Sequence, residues 1–163
     1  VWDAGYRFDS IFWPDDMGFK NTQFFSLDLY RELLKPFQAR AVAWAHAKGI
    51  KAHLHSCGNI MPFVPELVGI GMDALNPLEV KAGMDVLAVR AKYGRELRIW
   101  GGVDKRVLAQ GRAEMDAELA RLRPLMEDGG YLPHTDHSVP PDVPFANYVY
   151  FMERFDDVCH GRN

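Results

Sequence analysis

The feature that most constrains this chain is a strict alternation. Five short apolar runs take turns with helical stretches from one end to the other. The runs are Phe8–Pro14, Ile50–His55, Asp73–Asn76, Leu97–Trp100 and Gly130–Leu132. Each breaks into a loop of glycine, proline or ionisable residues. The first helical stretch is Leu27–Lys48, with Ser26 as its N-cap and Gly49 just past its end. Pro36 should interrupt that helix or open its second segment. A short helix over Pro62–Ile70 stops at Gly71. Asp85 caps a helix running to Tyr93. In the Ala113–Met126 stretch, Met115, Leu119, Leu122 and Met126 recur at helical spacing. Phe145–Cys159 reads as the closing helix.

Strand–helix alternation of this kind predicts parallel strands joined by helical crossovers. Ligand sites of such α/β folds lie at the carboxyl ends of the strands. A complete eight-unit barrel takes ~250 residues. This chain has 163, and no linker divides it into two domains. Five units leave two architectures: a doubly wound open sheet, or the latter part of a barrel.

Composition narrows the function classes. Nineteen Lys and Arg against 22 Asp and Glu leave a net charge of −3, which argues against a broad nucleic-acid or anionic-membrane footprint. No apolar run is long enough to span a bilayer. No basic segment followed by an apolar one opens the chain, so no secretory signal is expected. Cys57 and Cys159 do not make a disulfide framework, and a reducing cytoplasm is the expected compartment. Residue 1 is Val rather than Met, so sequence preceding it is expected.

The strand exits carry the candidate chemistry. His53, His55 and Cys57 alternate, which puts them on one face of the second strand. His55 and Cys57 sit at its exit, where a His-x-Cys pair can chelate a soft metal, above all zinc. A buried thiol beside a hydrogen-bonded core histidine is the competing reading. Asp136-His137 follows the fifth strand, as an oriented base, a metal ligand or a capped turn. Asp15 and Asp16 follow the first strand. They can act as acid and base or hold a cation, or one can cap the turn while the other is solvated. Asn76, Glu79 and Asp104 also follow strand ends, as substrate contacts or as caps. No phosphate-binding glycine spacing is present.

In order along the chain stand Trp13-Pro14-Asp15-Asp16-Met17-Gly18, Ser26 through Pro36, and His55-Ser56-Cys57-Gly58-Asn59. Gly71-Met72-Asp73-Ala74-Leu75-Asn76-Pro77, Gly83-Met84-Asp85 and Gly101-Gly102-Val103-Asp104 come next. Gly129-Gly130-Tyr131 and Asp136-His137-Ser138-Val139-Pro140-Pro141-Asp142-Val143-Pro144 close the set, with Asn147 after them. This ordered set resembles the uroporphyrinogen decarboxylase superfamily over nearly the whole chain. That superfamily holds true decarboxylases and cobalamin-dependent methyltransferases that use zinc to activate a thiol. The resemblance implies a (β/α)8 barrel, with residues 1–163 as one domain covering about its last five units. The missing N-terminal half of the barrel is then an expected partner.

The resemblance also implies roles. His55 and Cys57 match the methyltransferases' His-x-Cys zinc pair. The third ligand position, a Cys there, falls on His137, which in the decarboxylases is a histidine between glycines. The expected set is therefore zinc on His55, Cys57 and His137, with Asp136 or Glu79 orienting a ligand imidazole. His137, Asp15 and Asp16 are the expected catalytic residues, and Asn76, Glu79 and Asp104 the expected substrate contacts. A thiol acceptor and a methylcobamide supplied by a partner corrinoid protein follow. The alternatives are a metal-free porphyrinogen decarboxylase and an inactive barrel piece.

Overall fold

The structure, a computed structural model, describes residues 1–162. Its strands are β1 (Ser10–Pro14), β2 (Gly18–Phe19), β3 (Thr22–Gln23), β4 (Lys51–His55), β5 (Ala74–Asn76), β6 (Arg98–Trp100) and β7 (Tyr131–Leu132). Strands β1, β4, β5, β6 and β7 form one sheet in that order, and every pairing is parallel. The expected alternation is thus realised as consecutive, adjacent β/α units, the arrangement of part of a (β/α)8 barrel. The strands are one or two residues shorter at their starts than the apolar runs. Phe8 and Leu97, for example, lie outside the ladder but still pack on the core.

The first helical stretch is α1 (Leu27–Leu29), a π-helical turn over Tyr30–Leu34, and α2 (Lys35–Ala47). Ser26 caps it as expected, its Oγ accepting from the Leu29 amide at 3.2 Å. The π turn ends where Pro36 enters. Proline has no N–H to give and its ring crowds the preceding turn, so the wider turn relieves both. Then come α3 (Val64–Gly69), α4 (Val86–Tyr93), α5 (Val107–Gln110), α6 (Arg112–Asp128) and α7 (Phe145–Cys159). Asp85 caps α4 by accepting from the Ala88 amide at 2.9 Å. Among the described residues no helix is long and apolar enough to cross a membrane.

The helices cover one face of the sheet. Ala52, Leu54, Leu75 and Ile99 point into that core, against Val42, Ala45, Leu67, Val89 and the α6 stripe Met115, Leu119, Leu122 and Leu125. The register defines the other face. Phe12 pairs with His53, His53 with Ala74, and Ala74 with Arg98; one step on, Pro14 pairs with His55 and His55 with Asn76. Registered neighbours in a sheet point the same way. The open face therefore carries Phe12, His53, His55, Asn76 and Trp100. The Trp100 ring lies 5.4 Å from Phe12, 6.2 Å from His53 and 5.8 Å from His134.

The sequence reading had no place for the β2–β3 hairpin, because Gly18 to Gln23 shows no alternation. Contacts with the loop after β4 hold it instead. The Met17 amide donates to Ser56 Oγ at 3.0 Å, and Gln23 Nε2 donates to the Asn59 carbonyl at 3.0 Å. Gly18 and Gly58 meet backbone to backbone there.

Candidate metal and thiol site

The site lies at the carboxyl end of the sheet, in an open cleft of about 430 Å³. It is lined by Asp16, His55, Cys57, Asn76, Pro77, His134, Thr135, His137 and Ser138. Four strand exits contribute: those of β1, β4, β5 and β7. No Lys or Arg is among these lining residues.

At its centre Cys57 Sγ lies 3.3 Å from His55 Nε2. Asp16 Oδ1 lies 3.7 Å from the same nitrogen and accepts a hydrogen bond from the Cys57 amide at 2.9 Å. Asp16, His55 and Cys57 thus each offer a ligand atom, all within 4.8 Å of one another. A tetrahedral zinc would separate a thiolate sulfur from an imidazole nitrogen by roughly 3.5 Å, and the nitrogen from a carboxylate oxygen by roughly 3.4 Å, given its usual bond lengths. The observed separations differ from these by only a few tenths of an ångström. The donor set, one sulfur, one nitrogen and one oxygen, suits zinc.

The imidazole is held from behind. His55 Nδ1 lies 2.5 Å from Asn76 Oδ1, and Asn76 is buried. The amide nitrogen of Asn76 faces His134 Nε2 at 2.9 Å and the Trp100 carbonyl at 3.4 Å. Asn76 is therefore in the site, as the residue that orients His55. Asp136 and Glu79, expected in that role, are engaged elsewhere. The fully buried Asp136 carboxylate accepts from the amides of Val80 at 2.8 Å and Lys105 at 3.1 Å, fastening the loop after β7 to two neighbours. Burial pushes its carboxyl above the usual range, against those two bonds. Glu79 accepts from the Gly58 amide at 3.0 Å and steadies the loop that carries Cys57.

Burial, with Asp16 and Glu79 nearby, pushes the Cys57 thiol up to about 11. The protein alone keeps this sulfur protonated near neutral pH, so a thiolate there needs a cation.

Of the expected set, His55 and Cys57 stand in the cluster of donor atoms; His137 does not, and Asp16 lies beside them instead. His137 lines the same cleft but is exposed, and its Nδ1 accepts from the Ser138 amide at 2.8 Å. In the neutral ring that bond leaves the proton on Nε2, so the outer nitrogen is a donor rather than a ligand lone pair. Asp15 turns away from the cleft. Its Oδ2 accepts from Trp13 Nε1 and from Gln38 Nε2, both at 2.9 Å. Asp104 does not line the cleft either. Against the upward push of burial, a forked pairing with Arg106 holds its carboxyl below the usual range. His134 had not been singled out, though it lies on the cleft wall. Counting two from Leu132 places it on the open face with Trp100, and that was the signal available.

Comparison with known proteins agrees with this fold. A methyltransferase from Methanosarcina mazei has a similar fold, with a TM-score of 0.64 and 23% sequence identity. The match covers 96% of this chain and 43% of that protein, so the chain spans less than half of its length. No curated protein matches this sequence significantly. The sequence model of the uroporphyrinogen decarboxylase family matches residues 8–158, from before β1 to the end of α7. With the strand order, the strand-end cleft and that match in agreement, the chain belongs to the uroporphyrinogen decarboxylase family.

Proposed function

We propose that this chain carries the metal site of a methyltransferase-like member of the family, one that moves a methyl group between a corrinoid and a thiol. The observation that carries the reading is the convergence of Asp16, His55 and Cys57 within 4.8 Å at the carboxyl end of the sheet. Zinc held by those three residues would supply a Lewis-acidic open position that favours the thiolate form of an incoming thiol. The chain's own groups do the rest. Asn76 keeps His55 Nε2 turned toward Cys57 Sγ. The Cys57 amide fixes Asp16. His137, with its outer nitrogen protonated, is placed to donate a hydrogen bond to substrate in the cleft. A methylated corrinoid presented by a partner protein would be the methyl donor: the thiol sulfur would gain the methyl group and lose its proton, and the corrinoid would keep the electron pair of the bond it gives up. The remaining strands of the barrel, on the same or another polypeptide, would close the cleft.

Decarboxylation of a porphyrinogen acetate is the competing reading. It asks for a cationic cradle around several carboxylates, and the lining of this cleft supplies none. The test is zinc stoichiometry after purification without chelators. Near one zinc per chain is expected in the wild type and in His137→Ala, with loss in His55→Ala and Cys57→Ala. Absence of zinc from the wild type, or retention in Cys57→Ala, defeats the reading. Loss in His137→Ala together with retention in Asp16→Ala would restore the ligand set expected from sequence.

A further inference from the structure

We infer that His134, acting through Asn76, sets the tautomer of His55 and thereby leaves its Nε2 lone pair facing Cys57. The assignment starts from an atom whose role is fixed. The Thr135 carbonyl oxygen only accepts, and it lies 2.5 Å from His134 Nδ1. That nitrogen must carry a proton, so in neutral His134 the other nitrogen, Nε2, is an acceptor. The atom of Asn76 facing it at 2.9 Å must then be the amide nitrogen. A second acceptor, the Trp100 carbonyl at 3.4 Å, meets the same amide group. The amide oxygen is thereby turned to His55, at 2.5 Å from Nδ1. An oxygen there accepts only, so His55 carries its proton on Nδ1. Its Nε2 is left bare, 3.3 Å from Cys57 Sγ and 3.7 Å from Asp16 Oδ1.

This matters because neutral histidine in water prefers the opposite tautomer, with the proton on Nε2. Left alone, His55 would point an N–H at the thiol and the carboxylate. Such a ring has no lone pair there for an ion. The chain from Thr135 through His134 and Asn76 reverses that preference before anything binds. His134 and Asn76 are thus positioning residues: Asn76 touches the far nitrogen of His55 and His134 touches Asn76, and neither offers an atom to the cluster of Asp16, His55 and Cys57. Asn76 sits in register with His55 across a parallel pair, which brings the two side chains together. His134 reaches them from two strands further along the sheet order. The consequence for metal affinity rests on the reading under Proposed function, but the tautomer itself does not.

The experiment uses the full chain, metal-free, with nitrogen-15 in its histidines, observed by NMR near neutral pH. His55→Gln identifies the His55 signals. The wild type should show a protonated Nδ1 and an unprotonated Nε2 at His55. His134→Leu removes the acceptor that orients the Asn76 amide, leaving only the long contact to Trp100. A substantial share of Nε2-protonated His55 should then appear. His134→Gln should restore the wild-type pattern, because its side-chain oxygen can accept from Asn76. Asn76→Leu should reverse the pattern. Cobalt(II), added as a spectroscopic probe, should bind about 10–100-fold more weakly in His134→Leu and Asn76→Leu than in the wild type. His134→Gln should stay near the wild type. A merely structural His134 would make Leu and Gln behave alike and leave the His55 nitrogens unchanged; that result overturns the inference. So does a wild-type His55 protonated on Nε2. If the nitrogen pattern is as expected but neither cobalt nor zinc binds the wild type, the metal reading fails and the relay stands.

Discussion

Gly49 and Gly58 form an internal control for how the Cys57 loop is held. Both have φ of +72°, so an alanine at either meets the same backbone penalty. That penalty is about 1–2 kcal/mol. Their surroundings differ. A Cβ at Gly49 would meet nothing within 4 Å, whereas one at Gly58 would lie 2.4 Å from the Gly18 carbonyl carbon and 2.5 Å from the Phe19 amide nitrogen. Those are backbone atoms of the hairpin, and no side-chain rotation relieves the clash. Overpacking of that kind adds about 1–3 kcal/mol. Gly49→Ala should therefore lose about 1–2 kcal/mol in all, and Gly58→Ala about 2–5 kcal/mol. In urea, with tryptophan fluorescence as the signal, the two midpoints should differ by about 1 M, given a slope of about 1–3 kcal/mol per molar. The strain has one local exit: the hairpin can swing away from the loop. That would carry off Asp16, which is two residues from Gly18, and separate it from the Cys57 amide it now accepts from. In that case the midpoint falls less but cobalt(II) affinity drops while Gly49→Ala keeps it. Equal midpoints together with equal cobalt affinity would refute the argument that this glycine contact builds the site.

Three further outcomes are expected of substitutions elsewhere in the chain. Asp15→Ala should cost about 1–3 kcal/mol, since Trp13 and Gln38 lose a half-buried acceptor, and should leave cobalt(II) affinity unchanged; Asp16→Ala should do the reverse, as calorimetric titration would show. Asp73 is held below the usual carboxylate range: burial works against it, but the Ala52 amide, His46 and Lys51 prevail. Its stabilisation is present above the unfolded value of about 3.9 and lost as pH falls through the lower folded value, so Asp73→Asn should differ from wild type in urea at neutral pH and converge with it in acid. Phe12 and Leu132 are 48% and 58% exposed on or beside the open face of the sheet. The chain alone should self-associate in sedimentation, and Phe12→Glu should shift it toward monomer; an unchanged distribution would show that this face does not drive association.

The parallel sheet was legible because five runs and five helical stretches repeat one pattern, and a repeated pattern outweighs any single propensity. The α6 stripe was legible for the same reason, through Met115, Leu119 and Leu122. The short α5 and the β2–β3 hairpin were not. Each is held by contacts far away in sequence, such as Met17 to Ser56, which no local period reports. In the site, period two brought His55 and Cys57 together correctly. It could not choose between Asp15 and Asp16, because adjacent residues leave a strand end in opposite directions. Which one turns inward depends on the Cys57 amide for Asp16 and on Gln38 of α2 for Asp15. His137 was reached by matching a sequence position. Its ring orientation depends on one local bond from the Ser138 amide.

β5 shows how the two ends of one strand divide the work. Asp73, just before it, and Asn76, its last residue, both tie it to β4, three residues apart. At the amino end every contact to Asp73 is spent on the fold. The Ala52 amide, Lys51 and His46 all donate to one carboxylate, with Arg98 at 3.7 Å, and the side chain is only 8% exposed. Charge complementarity there is complete, so nothing is left over to bind a ligand. At the carboxyl end the partners are imidazole rings and carbonyl oxygens, and their bonds run in one direction. Each acceptor fixes the next donor, from the Thr135 carbonyl to His134, Asn76 and His55. Such a chain ends in an acceptor, the Nε2 lone pair of His55, which faces the Cys57 thiol at 3.3 Å with Asp16 beside it. A strand too short to alternate more than once can therefore stabilise the sheet at one end and orient a ligand atom at the other. The difference lies in whether its polar end residue is an ion, which gathers donors, or an amide, which must donate as well as accept.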